Sequence, residues 1–293
     1  MHRTLRLLTV ILIIMIILTG ALMALFIQRQ LNEREQRRLE QEQIENEKAA
    51  TFRAMIVPGS DMFSLAVAFD ARFGSSEWQT AMREPTPLDG FFGRPEGNTA
   101  EGLIFPETYE FFETATPADV IQRAMRELQT FTTRHQLTAA FERQNLTLYE
   151  GIILASIVER EVTAASDREM VAGLLLNRLQ GRCQSQIGNP RLGADPTFIY
   201  GWMLAGNPRP TTTAEVATAL NFNSPYNTRL HVGLPPGPIS NPSGATLLAT
   251  ANPSENSYCF FISDDDGQTR FARTLAEHQA NIRNYCKVRC GAG

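Results

Sequence analysis

Hydrophobic and polar positions divide the chain into stretches of different texture. Leu7 to Ile27 is a run of 21 residues with no charge, LLTVILIIMIILTGALMALFI. At ~1.5 Å of rise per residue, a helix of that length spans a ~30 Å hydrocarbon core. A cleaved signal peptide has a shorter apolar core and a small-x-small site behind it, and no A-x-A follows here. The run therefore predicts an uncleaved membrane helix. Arg3 and Arg6 precede it, so residues 1–6 are expected in the cytoplasm and everything after Ile27 across the membrane. Gln28 to Ala50 carries five basic and six acidic residues, no glycine and no proline. Good helix formers with opposite charges at i,i+4 predict a solvated helical stalk. Leu31, Leu39 and Ile44 do not repeat in heptads, which argues against a coiled coil.

From Thr51 onward the apolar residues return in short periodic segments. Phe52 to Val57 reads as a strand, Pro58-Gly59 as a turn, and Ser60 as the cap of a helix to about Phe73, ended by Gly74. A second short helix holds Trp78. Strand–helix–helix of this size opens a LysM-like carbohydrate-binding module, and equally a plain structural subdomain. Six prolines and glycines between Pro85 and Gly97 mark a loop-rich connection, giving a small unit of residues 51–98 and a larger one of 99–293. Thr116-Pro117-Ala118-Asp119 starts a helix to about Arg134. Thr147 and Glu150 form a capping box for a helix from Leu148 to about Val162, and Ser166 and Glu169 another for Asp167 to about Gln180. Cys259 to Ser263, a turn at Asp264 to Gly267 and Thr269 to Ala272 read as a hairpin. Thr274 caps a last helix to about Tyr285. Helices with few strands and no βαβ rhythm predict an α+β fold.

Composition narrows the function. A net charge of −4 leaves no basic excess to neutralise phosphates, which excludes nucleic acid as the main partner. Four cysteines are too few for a disulfide scaffold. Their three connectivities stay open, Cys286 with Cys290 and Cys183 with Cys259 among them. The four histidines are scattered, with no HExxH and no zinc spacing, and there is no P-loop, GxSxG or dinucleotide fingerprint. No metal or cofactor is expected. Asp264, Asp265 and Asp266 lack the other ligands of a calcium loop and read as the hairpin turn.

Two features point to chemistry. The helix from Ile152 to Glu161 is apolar all round, the mark of a buried helix. On its wheel Glu161 falls at about 180° from Ile152 and Glu159 at about 340°, so the two face opposite sides and do not form a dyad. Burial and the negative end of the helix both push a carboxyl pKa up, as a general acid at neutral pH requires. The alternative is that each glutamate pairs with an arginine at the rim, such as Arg160 or Arg168. The second feature is the irregular stretch from Ser224 to Pro242, rich in proline and glycine and carrying Tyr226, Asn227 and His231. It suits a hydroxyl-rich ligand or a rigid crossover.

These residues fall in longer motifs. Glu101 to Phe111 (EGLIFPETYEF) is similar to EGYLFPDTYEF, Ile153 to Glu161 to LASIVEKE, and Leu176 to Leu179 to a phenylalanine-led NRL. Asp195 to Gly201 (DPTFIYG) is similar to DPTVIYG, and Ser224 to Pro242 to SPYNTY…GLPPGPISNPG. The hairpin and last helix, to Glu277-His278, match a final motif ending in EH. From Glu101 to Tyr285 the chain resembles the YceG-like endolytic murein transglycosylases (MltG type). Val162 stands where that family usually has a small residue. Gly181 to Gly193 is longer than the family's corresponding link, and Gly193-Ala194 stands where a Gln-Ser or Gln-Thr pair is common. The resemblance implies cleavage of peptidoglycan glycan strands within the chain, with one glutamate as acid and base and the MurNAc 6-hydroxyl closing a 1,6-anhydro ring. That glutamate is expected to be Glu161, with Glu159 as fallback. Glu107, Tyr109, Asn177, Asp195, Thr197, Tyr226 and Asn227 are expected to line the glycan cleft. The resemblance further implies an inner-membrane location with a periplasmic catalytic part and peptidoglycan synthases (penicillin-binding proteins) as partners. A hydrolytic muramidase and a non-catalytic peptidoglycan-binding scaffold are the alternatives.

Overall fold

The computed structural model describes Gly20, Met23 and residues 25–41, 50–162 and 164–288. The chain divides into two units, Met1–Phe52 and Arg53–Gly293. In the first, residues 25–41 are helical and almost wholly exposed, with Arg29 and Glu33 paired at 3.0 Å one turn apart. No described helix is long and apolar enough to cross a membrane. The segment 7–27, expected as the membrane anchor, lies mostly outside the described residues, as does 42–49 of the expected stalk.

In the second unit, capping chemistry sets where the helices begin. Helix α1 (Met62–Ala68) is capped by Asp61, one residue beyond the expected Ser60. Asp61 Oδ1 accepts from the Ser64 N–H at 2.8 Å and the Ser64 hydroxyl accepts from the Asp61 N–H at 2.8 Å. The Ser60 carbonyl accepts from the Asn241 N–H, and the Ser60 hydroxyl is buried without a partner among the described residues. The expected single helix to Phe73 breaks at Phe69 into α1 and α2 (Asp70–Phe73), and Gly74 ends it at φ 84°. Helix α3 (Ser75–Ala81) buries Trp78, and α4 (Asp89–Phe92) buries Phe92. Capping boxes from Thr116, Thr147 and Thr274 open α5 (Pro117–Arg134), α7 (Leu148–Glu161) and α13 (Leu275–Tyr285). The box expected at Ser166 does not form. Ser166 lies in a 3-10 turn, Ala165–Asp167, where its hydroxyl meets Asp167 instead, and α8 (Arg168–Leu179) starts without a side-chain cap.

The strands form two separate two-stranded sheets, as a mixed α+β fold allows. Strand β1 (Thr51–Met55) pairs with β2 (Thr108–Phe112), which the sequence pattern had not resolved as a strand. Strands β3 (Phe260–Ser263) and β4 (Thr269–Ala272) pair antiparallel, Phe260 opposite Ala272 and Ser263 opposite Thr269. The core centres on α7. Short α6 (Leu137–Glu142), α8, α10 (Asp195–Leu204) and α12 (Gly244–Ala251) pack around it, with α9 (Gln184–Ile187) and α11 (Thr213–Leu220) on the connections between them. All its residues from Gly151 to Val158 are buried, consistent with a helix apolar on every side.

One buried carboxyl joins the motifs. Glu101 is 1% exposed and accepts from the Met62 N–H at 2.7 Å, the Tyr200 hydroxyl at 3.1 Å and Asn241 Nδ2 at 3.4 Å. It thereby ties the start of α1, helix α10 and the proline-rich loop to one point. Gly102 follows at φ +76°, and a Cβ there would stand 2.3 Å from Pro238, so the junction closes only around glycine. Glu101→Leu should leave these donors unsatisfied and cost roughly 3 kcal/mol or more, with Glu101→Gln costing clearly less. Denaturant unfolding of the two variants checks this; equal, small losses would remove Glu101 from that role.

Candidate active site

The end of α7 brings Glu161 to the wall of a cavity of about 530 Å³. The α7 ladder positions it, and Val162 leaves the helix in extended conformation straight after it. Helix α10 begins opposite, and the Asp195 N–H at its first turn donates to the Glu161 carboxyl. Arg178 near the end of α8 and Arg229 in the irregular loop complete the ring of charge. Burial, and next the negative charge of Asp195, push the Glu161 pKa from 4.5 up to about 7; Arg178, Arg229 and the Asp195 N–H pull the other way. The carboxyl is thus near half-protonation at neutral pH.

The groups around it are held in place. Arg178 Nε donates to the Cys259 carbonyl at 2.7 Å, another of its nitrogens donates to the Leu192 carbonyl, and its guanidinium lies over the Phe260 ring. Burial draws its pKa down to about 10, with Glu161 pulling it back up. Arg229 pairs with the Asp195 carboxylate. On α13, His278 stacks on Phe260 with ring centres 5.0 Å apart. Its Nδ1 is buried without a partner among the described residues, and burial, with Arg178 nearby, holds its pKa below the ordinary value. The disulfide Cys183–Cys259 ties the link before Asp195 to the foot of β3; Cys286 is disulfide-bonded as well.

Glu159 points elsewhere, as the helix wheel requires. Its Oε2 accepts from the Ser243 N–H at 2.9 Å and the Ser243 hydroxyl at 2.8 Å, and Ser243 in turn caps α12. Of the residues expected to line the cleft, the structure brings only Asp195 to the cavity with Glu161. Thr197 is buried beneath it, bonding the Ala194 carbonyl at 2.6 Å and the Thr228 hydroxyl at 2.8 Å, which seats the loop carrying Arg229. Asn227 is fully buried and bonds the Leu220 and Phe222 carbonyls, holding the same loop from behind. Asn177 is turned away from the cavity toward Asn256 and Tyr258. Tyr226 packs on Tyr200, their ring centres 5.1 Å apart. Tyr109 on β2 donates to the Phe105 carbonyl at 2.8 Å, and Glu107 is exposed beside that strand. These short polar side chains satisfy backbone groups of irregular loops, a need that motif reading does not separate from ligand contact.

Sequence reasoning passed over Arg178, Arg191, Arg229 and His278, all of which line the cavity. The usable signal was electrostatic: a buried glutamate needs cations nearby, and Arg178 and His278 both fall inside quoted motifs. Among the described residues no group of three or more His, Cys, Asp or Glu is arranged to hold a metal ion.

With that geometry in view, three comparisons agree. The sequence model of the YceG-like family matches residues 25–284. The endolytic murein transglycosylase of Bacillus subtilis (strain 168) is 28% identical over 200 residues, covering 68% of this chain and 52% of the relative. That of Streptococcus pneumoniae serotype 2 (strain D39 / NCTC 7466) is 28% identical over 210 residues, covering 71% of this chain and 36% of the relative. The chain thus spans about half the length of the first relative and about a third of the second. The crystal structure of a yceG-like protein from Listeria monocytogenes superposes with a TM-score of 0.65 at 25% identity, covering 78% of this chain and 75% of that one.

A raised folded-state pKa makes the acid form of Glu161 the stabilising one. Its contribution is full below 4.5 and is lost as pH rises through about 7. Thermal unfolding of wild type and Glu161→Gln should therefore diverge from pH 4.5 to 7 in favour of the variant. Parallel curves would mean that the carboxyl titrates normally.

Proposed function

The chain belongs to the YceG-like family, and on that premise we propose that it is an endolytic lytic transglycosylase of peptidoglycan. The observation that carries the reading is the Glu161 carboxyl, partly buried on the cavity wall with its pKa pushed up to about 7. In the acid form Glu161 donates its proton to the glycosidic oxygen of the MurNAc–GlcNAc β-1,4 link as the C1–O bond breaks. The resulting carboxylate then takes the proton of the MurNAc 6-hydroxyl as O6 bonds to C1. The 1,6-anhydro ring closes, no water is consumed, and Glu161 is returned as the acid. Arg178 and the Asp195 N–H stabilise the carboxylate between the two transfers. One carboxyl suffices because the nucleophile belongs to the substrate. Thr197, Asn227, Asn177 and Tyr226 act on the glycan through the loops they hold; Glu107 and Tyr109, at the start of β2, do not line the cavity.

Asp195 on the same cavity favours a second reading, a muramidase with two carboxylates. Its carboxylate is already engaged by Arg229, which supports the anhydro route. We further propose residues 7–27 as a single inner-membrane anchor, with residues 1–6 cytoplasmic, residues 28–50 a stalk, 51–98 a reduced LysM-like module and 99–293 the periplasmic catalytic part. The charge-free 21-residue run after Arg3 and Arg6 supports the anchor. Peptidoglycan synthases at the same membrane are the proposed protein partners.

The full chain in detergent, incubated with uncrosslinked glycan strands, should release fragments with anhydro ends, one water lighter than reducing ends. Glu161→Gln should lower kcat by about 10³-fold, while Glu159→Gln still forms product. The rate should be flat at acid pH and fall above about 7. Reducing ends with a second, acidic limb in the pH profile would favour the muramidase. Undiminished product from Glu161→Gln would remove the assignment.

A further inference from the structure

The link from Gly181 to Gly193, longer than its counterpart in the motif pattern, forms one rim of the cavity and contributes Ile187, Arg191 and Gly193 to its lining. It is unusually well fastened for a connection with little regular structure. The disulfide Cys183–Cys259 holds its start to β3, and Ile187 packs on the small cluster of Cys183, Cys259, Phe260 and Ala272. At its far end the Gly233 N–H donates to the Pro190 carbonyl at 3.0 Å, Arg191 bridges Gly233, and the Gly193 N–H donates to the Thr228 carbonyl at 3.1 Å. Arg178 binds the Leu192 carbonyl. The backbone carrying Arg191 is thus fixed on both sides.

The charge on this rim is unbalanced. Three arginines and two carboxyl groups line the cavity. Arg229 is paired with Asp195, and Arg178 is held by two carbonyls facing Glu161. Arg191 is exposed and, among the described residues, has no side-chain hydrogen bond or ion pair. A guanidinium on a fixed backbone at the mouth of a cleft suits a carboxylate, which it grips through two parallel N–H donors. The sugar backbone of peptidoglycan offers hydroxyls and acetamides, whereas its carboxylates lie on the peptide stems. Resting on the peptidoglycan reading above, we infer that Arg191 is a specificity-determining residue that takes a free carboxylate of the peptide stem next to the cut, presented by the disulfide-fastened rim.

The test uses the full chain in detergent with three strand preparations: stems bearing free carboxylates, stems with those carboxylates amidated, and strands stripped of peptide with the lactyl carboxylates so freed amidated as well. Initial cleavage rates are measured for wild type, Arg191→Gln and Arg191→Lys. Strand binding is measured separately with Glu161→Gln and with Glu161→Gln/Arg191→Gln. The wild type should prefer free-carboxylate strands about tenfold, Arg191→Gln should bring the ratio close to one, and Arg191→Lys should keep part of it. Binding should show the same loss of preference. Cleavage of all three preparations at equal rates, or a preference that survives Arg191→Gln, overturns the inference and leaves the transglycosylase reading intact. No cleavage, with the binding preference present and dependent on Arg191, removes the transglycosylase and keeps the carboxylate subsite.

Discussion

The structure depends on how one carboxyl is partly withdrawn from water without being wholly neutralised. Glu161 ends a helix that is buried on every side, so its side chain reaches the cavity from within the core. Two opposing sets of forces meet there. Burial, the adjacent Asp195 and the helix's own negative end favour the acid. Arg178, Arg229 and the Asp195 N–H favour the carboxylate. Either set alone would fix the group in one state. Their near balance leaves both states accessible, as the proposed acid–base role of Glu161 requires.

The rest of the fold can be understood as support for that balance. Asp195 is placed by α10, whose start is secured by Thr197 on Ala194 and Thr228. The same Thr228 contact seats the loop that delivers Arg229, and Asn227 fastens it from behind. Arg178 joins α8, the 181–193 link and the foot of β3 through two carbonyls. Glu101 joins the first helix, α10 and the proline-rich loop. A division of labour follows: many small polar residues in the motifs satisfy backbone groups in loops, and a few charged ones face the cavity.

Much of this was legible in the chain. Three capping boxes placed the starts of α5, α7 and α13, because a threonine with an acid three residues on has a local, self-contained geometry. The hairpin at Asp264 was equally local. The wheel separated Glu161 from Glu159 because both sit on one regular helix. The misses were non-local. Asp61, not Ser60, caps α1, while the Ser60 carbonyl is held by Asn241, about 180 residues away. Strand β2 depends on β1, more than 50 residues earlier. Asn177 and Arg178 are neighbours in sequence, and only packing decides that the arginine faces Glu161 while the asparagine binds Asn256. The disulfide was one of three pairings until the link and β3 were brought together.

The central claim concerns the protonation of a single group, and that can be measured at the group itself. Infrared difference spectra between the wild type and Glu161→Gln, recorded on the full chain across pH, isolate the carboxyl band of residue 161. The account predicts a protonation midpoint near 7. A midpoint near 4.5, the ordinary value for glutamate, would contradict it.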